Sequence, residues 1–206
     1  MTDGGLPVRS PPVDPTREAR VAGVVLAAGT SARYGDANKL LARVDGERIV
    51  TRSVRPYLDA AVDPVVVVVG HEATRVRAAL PEAVRVVHNP DYADGQASSV
   101  RTGIDAVADA DAAVVGLGDM PFVRSETVSL LARAFRAGAG DPLATAFDGQ
   151  RGNPVCFGRQ WFDALRDVNG DTGGREILLT APDAALVETG DPGVRRDIDR
   201  PDDLDS

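Results

Sequence analysis

The sequence is poor in several residues on which protein chemistry often depends. Of its 206 residues only Lys39 is lysine, against a background of arginine, and both coding bias and a saline cytoplasm fit that scarcity. The single cysteine, Cys156, excludes an internal disulfide and any multi-cysteine metal site, and within "NPVCF" it reads as a small buried hydrophobe. The two histidines, His71 and His88, each follow a strand-like run without a partner nearby, which points to structural or exposed roles rather than catalysis. No run of about 18 apolar residues exists, so no membrane span is expected. Residues 1–20 lack the apolar stretch of a secretory signal and read as a loose Pro/Gly/Asp tail on a cytoplasmic protein. The net charge of −8, with no dense block of arginines, argues against a nucleic-acid partner. An anionic ligand must therefore meet a local positive pocket. Neither Gly-Lys-Ser/Thr nor G-x-G-x-x-G follows the first strand, which disfavours a Walker NTPase and a dinucleotide dehydrogenase.

What is present is an alternation of short valine-rich runs with segments of helical period. Val21–Ala27, 64–70, 84–88 and 112–116 read as buried strands, and 142–147 ("PLATAF") and 153–157 ("NPVCF") as further strands. Helices are expected over 49–60, 73–80, 98–108, 126–137 and 174–180, and "RRDIDRPDDL" reads as a last strand entering a helix. This pattern predicts an α/β protein: a single three-layer α/β/α domain over residues 21–206, with a mostly parallel sheet and helices on both faces. Ligands bind such sheets outside the carboxyl ends of the strands, so the residues after each strand carry the functional reading.

After the first strand comes "GTSARYGDANK". Its small residues let backbone amides approach an anion, and Arg33 and Lys39 add positive charge in the same loop. A flexible turn with surface charges is the plainer alternative. Lysine differs from arginine in being a compact point charge that fits among phosphate oxygens. After the fourth strand, Asp119 stands in "GLGDMP", placed either to hold a magnesium ion shared with phosphate oxygens or to cap the helix near Ser125.

Six motifs occur in order: "LAAGTSARYGDANKLL" behind its strand, "NPDYADGQASS", "GDMP", "RGNP", "GDTGGR" and "DIDRPDDL". Together, from about Val21 to Leu204, they resemble the molybdenum cofactor nucleotidyltransferase family, most closely its cytidylyltransferase branch, within the Rossmann-like nucleotide-diphospho-sugar transferase fold. The resemblance implies that Ala27, Ala28 and Gly29 line the base and ribose, that Arg33 and Lys39 hold the triphosphate, and that Asn89, Gly95, Ser98 and Ser99 lie near the nucleotide. Ser98 also reads as a helix N-cap. Asp119 matches the family's metal ligand and Asp199 a second position near the metal, with Asp197 two residues away as the alternative. Arg151 and Asn153 of "RGNP" and Asp171 and Arg175 of "GDTGGR" match stretches beside the acceptor, where a hairpin entry and a capped helix are the plainer readings. Trp161 reads as core or pocket wall. The related isoprenoid cytidylyltransferases usually carry proline before the lysine, whereas Asn38 precedes it here.

The implied reaction is transfer of CMP from CTP to molybdopterin carrying molybdenum, with Mg2+ as cofactor and release of pyrophosphate. "LAAG" resembles the loop of the pyrimidine-using branch, in line with CTP rather than GTP or another NTP. Contact with a client molybdoenzyme is expected to be transient. A different phosphorylated acceptor and a non-catalytic carrier of the finished dinucleotide are the alternatives.

Overall fold

The computed structural model describes residues 5–10, 14, 17–30, 34, 37–170, 173–200 and 202–203. Arg33 and Asp171, both expected at the site, lie outside them. The described strands are β1 (Val8–Arg9), β2 (Val21–Ala27), β3 (Arg43–Val44), β4 (Glu47–Arg48), β5 (Val65–Val69), β6 (Arg85–His88), β7 (Ala112–Leu117), β8 (Leu143–Phe147), β9 (Gln150–Gly158) and β10 (Ala185–Glu188). The helices are α1 (Ile49–Leu58), α2 (Ala73–Arg77), α3 (Gln96–Ala106), α4 (Ser125–Arg136), α5 (Phe162–Asp167) and α6 (Arg175–Thr180). Eight strands form one sheet in the order β1-β10-β8-β9-β7-β2-β5-β6, and β3 and β4 form a separate hairpin. All neighbours in the large sheet are parallel except β9, which is antiparallel to both β7 and β8.

Why β2 needs a continuous apolar run follows from its two-residue period. Val21, Val25 and Ala27 join one core cluster with Val50 and Val54 of α1 and Leu131 and Phe135 of α4. Ala22, Val24 and Leu26 join the opposite cluster with Val100 and Ile104 of α3, Leu165 of α5 and Leu178 of α6. Every β2 side chain is therefore buried. Each fully buried valine or leucine contributes about 1.5–3 kcal/mol over an exposed one. The result is the expected three-layer α/β/α architecture with a mostly parallel sheet.

Several local expectations are corrected. The segment 84–88 was expected as a buried strand, but β6 pairs only with β5 and is half-exposed as the sheet edge. No strand forms among the described residues of "RRDIDRPDDL". Residues 185–188, which the hydrophobic pattern left unassigned, take that place beside β8 instead. The later residues make a 3-10 turn over Pro192–Arg195 and then an irregular stretch. Within the stretch expected as a loose tail, β1 pairs with β10, and the Arg17 guanidinium lies 4.2 Å from the centre of the Phe135 ring. No helix among the described residues is long and apolar enough to cross a membrane.

Candidate active site

Because β2, β5, β6 and β7 run the same way, the loops after them share one edge of the sheet. Antiparallel β9 brings its beginning, Gln150–Asn153, to that edge. Lys39 opens a 3-10 turn, Lys39–Leu41, that Asn38 caps by accepting a hydrogen bond from the Leu40 N–H at 3.0 Å. Leu40 is buried and fastens this turn to the core.

The turn points the lysine at two carboxylates. Lys39 Nζ lies 2.6 Å from Asp119 Oδ2 and 2.9 Å from Asp199 Oδ1. Burial opposes the charge of Lys39, but the two acids outweigh it and hold the ammonium above its ordinary pKa. At Asp119 burial dominates and raises the carboxyl, against the pull of Lys39 and with the help of Asp197. The other oxygen of Asp119, Oδ1, is buried and has no hydrogen-bond partner among the described residues. Leaving such an acceptor unpaired is costly, and a cation satisfies it. Among the described residues no group of three or more acids, histidines or cysteines is gathered for a metal. Asp119 and Asp199 are thus the donors that could hold a magnesium-type ion, which takes one or two carboxylates and completes its shell with phosphate and water.

Two adjoining cavities lie at this edge, and the acidic pair lines the first of them. The first, of about 560 Å³, is lined by Ala27, Ala28, Gly29 and Thr30 after β2, by Tyr92, Gly95, Gln96 and Ser99 around the start of α3, and by Lys39, Asp119 and Asp199. The second, of about 300 Å³, shares Leu26, Gln96 and Leu117 with the first. Its lining combines Arg151, Asn153 and Arg175 with Val115, Val155 and Phe157. The structure thus gathers Lys39, Asp119, Asp199, Ala27–Gly29, Gly95 and Ser99 in one cavity and Arg151, Asn153 and Arg175 in the next. Asp197 lines a third hollow with Arg195 and Val194, while Asp199 faces the first, which separates the two acids that the sequence left interchangeable.

Asn89 and Ser98 stand elsewhere. Asn89 is buried behind the α3 start, donating to Ser98 Oγ at 2.8 Å and Ser99 Oγ at 3.0 Å and accepting from the Asp91 N–H at 3.0 Å. Its amide is spent on holding the two serines. Ser98 Oγ in turn donates to the Gly95 carbonyl at 2.9 Å; Ser98 lies inside α3, so it is not the N-cap the sequence suggested, a position that Gly95 takes. Gly95 precedes α3 with φ 99°, a region that favours glycine. The Ala97 N–H is taken by the Gly170 carbonyl at 2.9 Å, so this helix start is partly closed by protein. Trp161 packs with the apolar cluster on the α3 side of the sheet.

Sequence reasoning missed Gln96 and Tyr92, although both stand inside "NPDYADGQASS" next to residues that were singled out. It also missed Leu26 and Leu117, whose apolar identity marked them only as strand residues.

Comparison with known proteins places this architecture. Residues 23–185 match the model of the MobA-like NTP transferase domain. The chain is 31% identical over 187 residues to nicotine blue oxidoreductase of Paenarthrobacter nicotinovorans, covering 87% of this chain and 92% of that one. It is 31% identical over 206 residues to purine catabolism protein PucB of Bacillus subtilis, covering 92% and 96%. Among solved structures, Rv0371c from Mycobacterium tuberculosis H37Rv superposes with a TM-score of 0.79 at 26% identity, over 93% of this chain and 100% of that one. A complex of Rv0371c with manganese superposes with a TM-score of 0.76 at 26% identity, over 90% and 96%. With a domain match across most of its length and relatives aligned nearly end to end, the chain belongs to the MobA-like NTP transferases, a nucleotidyltransferase family.

Proposed function

We propose that the protein transfers CMP from CTP to molybdopterin carrying molybdenum, in the cytoplasm, with Mg2+ held by Asp119 and Asp199. The observation that carries this reading is the buried Asp119 Oδ1, without a hydrogen-bond partner among the described residues, in the wall of the first cavity beside the one lysine of the chain. The first cavity would take the nucleotide, with its base and ribose against Ala27–Gly29 and Ser99. The second would take the acceptor, an apolar ring body against Val155 and Phe157 with its anionic groups on Arg151 and Arg175. That the manganese-bound Rv0371c is a relative with the same fold supports a divalent ion.

In the proposed step, an oxygen of the acceptor's terminal phosphate forms a bond to the α-phosphorus of CTP. The bond from that phosphorus to the bridging oxygen breaks, and its electron pair leaves with pyrophosphate. The nucleophile is already ionised near neutrality, so no general base is required. When bound, magnesium supplies positive charge at the reacting phosphates. Lys39 exchanges its carboxylate partners for phosphate oxygens and stabilises charge on the departing group. Arg33 is assigned to the triphosphate, and Asp171 to the acceptor side.

The test is pyrophosphate release measured with each of the four nucleotides, with and without molybdopterin. Release that requires molybdopterin and is fastest with CTP is expected. A higher kcat/KM with GTP would move the protein out of the cytidylyltransferase branch, release with a different phosphorylated acceptor alone would replace molybdopterin, and no release with any nucleotide would favour a carrier.

A further inference from the structure

Asp191 is a charged side chain that the proposed chemistry does not use, yet it is 98% removed from solvent, at 2% exposure. Its Oδ2 accepts from the Arg124 N–H at 2.9 Å and from Thr127 Oγ1 at 2.7 Å, and its Oδ1 accepts from the Gly193 N–H at 2.9 Å. The Arg124 guanidinium adds an ion pair, Nε to Oδ1, at 3.1 Å. Burial alone would raise this carboxyl, but the donors prevail and hold it below its ordinary value. At the start of α4 the N-cap residue Arg124 offers no capping side chain. Asp191, more than sixty residues along the chain, supplies that cap, where the helix dipole also favours a negative charge.

The partners of the following residues show what this fastening achieves. A side chain on Gly193 would strike the Phe122 carbonyl, and one on Gly152 would strike the Val194 carbonyl, so the chain is wedged between the loop after Asp119 and the start of β9. Arg196 stacks on Phe122 with its guanidinium 3.9 Å from the ring centre. Ile198 is fully buried with Val44 and Ile49, and its N–H donates to the Asp119 carbonyl at 2.9 Å. At the far end Asp203 accepts from the Asp199 N–H at 2.9 Å and the Arg200 N–H at 2.7 Å. Residues 191–200 thus form a strap fixed by Asp191 at its start and by Asp203 at its far end, with Asp199 between the fixings and facing Lys39.

We infer that Asp191 is a positioning residue for the cation site: by locking the start of the strap to α4 it sets the place of Asp199 relative to Asp119. This rests on the reading of Asp119 and Asp199 as the metal-holding pair. The alternative is a helix cap that affects stability alone. The two differ in where a loss is felt, because a cap that serves only α4 leaves the far end of the strap and the cation undisturbed.

The experiment uses the full chain and compares wild type with Asp191→Ala, Asp191→Asn and Leu131→Ala, the last a destabilising change in α4 away from the strap. Mn2+ affinity is measured by the paramagnetic resonance of free manganese, for the protein alone and with CTP. Amide hydrogen exchange is measured at Ile198 and at Val114 in β7. Asp191→Ala is expected to weaken Mn2+ binding at least tenfold and to speed exchange at Ile198 at least tenfold, with Val114 unchanged. Asp191→Asn, which keeps one acceptor oxygen of the two, is expected to fall between Ala and wild type, and it alone carries the test if the alanine variant does not fold. Leu131→Ala is expected to lower the melting temperature and leave Mn2+ affinity within twofold. Wild-type Mn2+ affinity together with wild-type protection at Ile198 in the Asp191 variants would overturn the inference. So would an equal loss of Mn2+ affinity in Leu131→Ala. Absence of saturable Mn2+ binding in wild type, alone and with CTP, would instead overturn the metal reading, and exchange at Ile198 would still decide whether Asp191 holds the strap.

Discussion

Asp119 and Asp191 are both carboxylates taken largely out of water, and burial pushes both in the same direction. Their outcomes are opposite: Asp119 is raised above its ordinary pKa and Asp191 is lowered below it. The difference lies in what surrounds the oxygens. Both oxygens of Asp191 are met by backbone, hydroxyl and guanidinium donors. Asp119 has Lys39 on one oxygen and nothing among the described residues on the other. A carboxylate whose donors are all internal is complete as a structural element, whereas one left short of donors retains capacity for a ligand. Within one protein the two mark where the fold is closed and where it is open.

Replacing each acid by its amide should break this pair in opposite ways. Asp119→Asn should lower kcat on the order of a thousandfold, since charge stabilisation at a reacting phosphate is lost, while melting stays at or above the wild-type temperature. Single-turnover CMP transfer and a thermal melt check both halves, and near-native turnover with magnesium would remove Asp119 from the chemistry. Next in size is Lys39→Arg. The wider guanidinium displaces the reacting atoms, and a misplacement of about 1 Å costs on the order of a hundredfold in rate. Full activity in that variant, measured as kcat with saturating CTP, would show that charge without compactness suffices.

A smaller effect separates the cavities. Arg175→Ala should raise the KM for the acceptor by about ten- to a hundredfold and leave that for CTP unchanged, as expected for the loss of one charged hydrogen bond worth about 1.5–3 kcal/mol. Equal shifts in both constants would merge the two cavities into one site.

The smallest expected effect is on the pH dependence of stability. Asp191 has a lowered folded pKa, so its contribution is present above the ordinary value of 3.8 and is lost as pH falls through the folded value. The melting-temperature gap between wild type and Asp191→Asn should therefore narrow as pH drops below that point. Asp119 has a raised folded pKa, so its ionised form opposes folding at neutral pH, and that cost fades as pH falls through the folded value toward 3.8. Any stability advantage of Asp119→Asn should shrink in the same descent. Parallel curves for the two variants, in melts from pH 7 to pH 3, would erase the contrast.

The fold was legible wherever burial on both faces forced a continuous apolar run, as in "VAGVVLA" and "PVVVVVG". It was not legible at β10, where four residues, "ALVE", are too few to show a period. The hairpin of β3 and β4 escaped notice although Asp45-Gly46 is a strong turn signal, and both residues have positive φ. In "RRDIDRP" the alternation was real but its cause was different. Ile198 is buried between Asp197 and Asp199 where the chain packs against Asp119, and no neighbouring strand is involved. Lys39 and Asp119 stood out by residue type after their strands, and Asp199 by the family resemblance alone. That Lys39 contacts Asp199, 160 positions away, is a property of the folded chain alone. Nor could residue type show that the Asn89 amide is turned inward to hold Ser98 and Ser99.

The reversed direction of β9 has a consequence for how such a protein can diversify. Were β9 parallel, its beginning would lie at the far edge, and the wall bearing Arg151 and Asn153 would have to come from a crossover connection. Because it returns directly from β8 through Asp148-Gly149, that wall is the arm of a hairpin. Lengthening or reshaping this hairpin alters one wall of the second cavity without disturbing β2, β6 or β7, whose following loops line the first. Under the proposed assignment of the cavities, acceptor choice would be revised by editing a few residues at a turn while the nucleotide half is inherited intact.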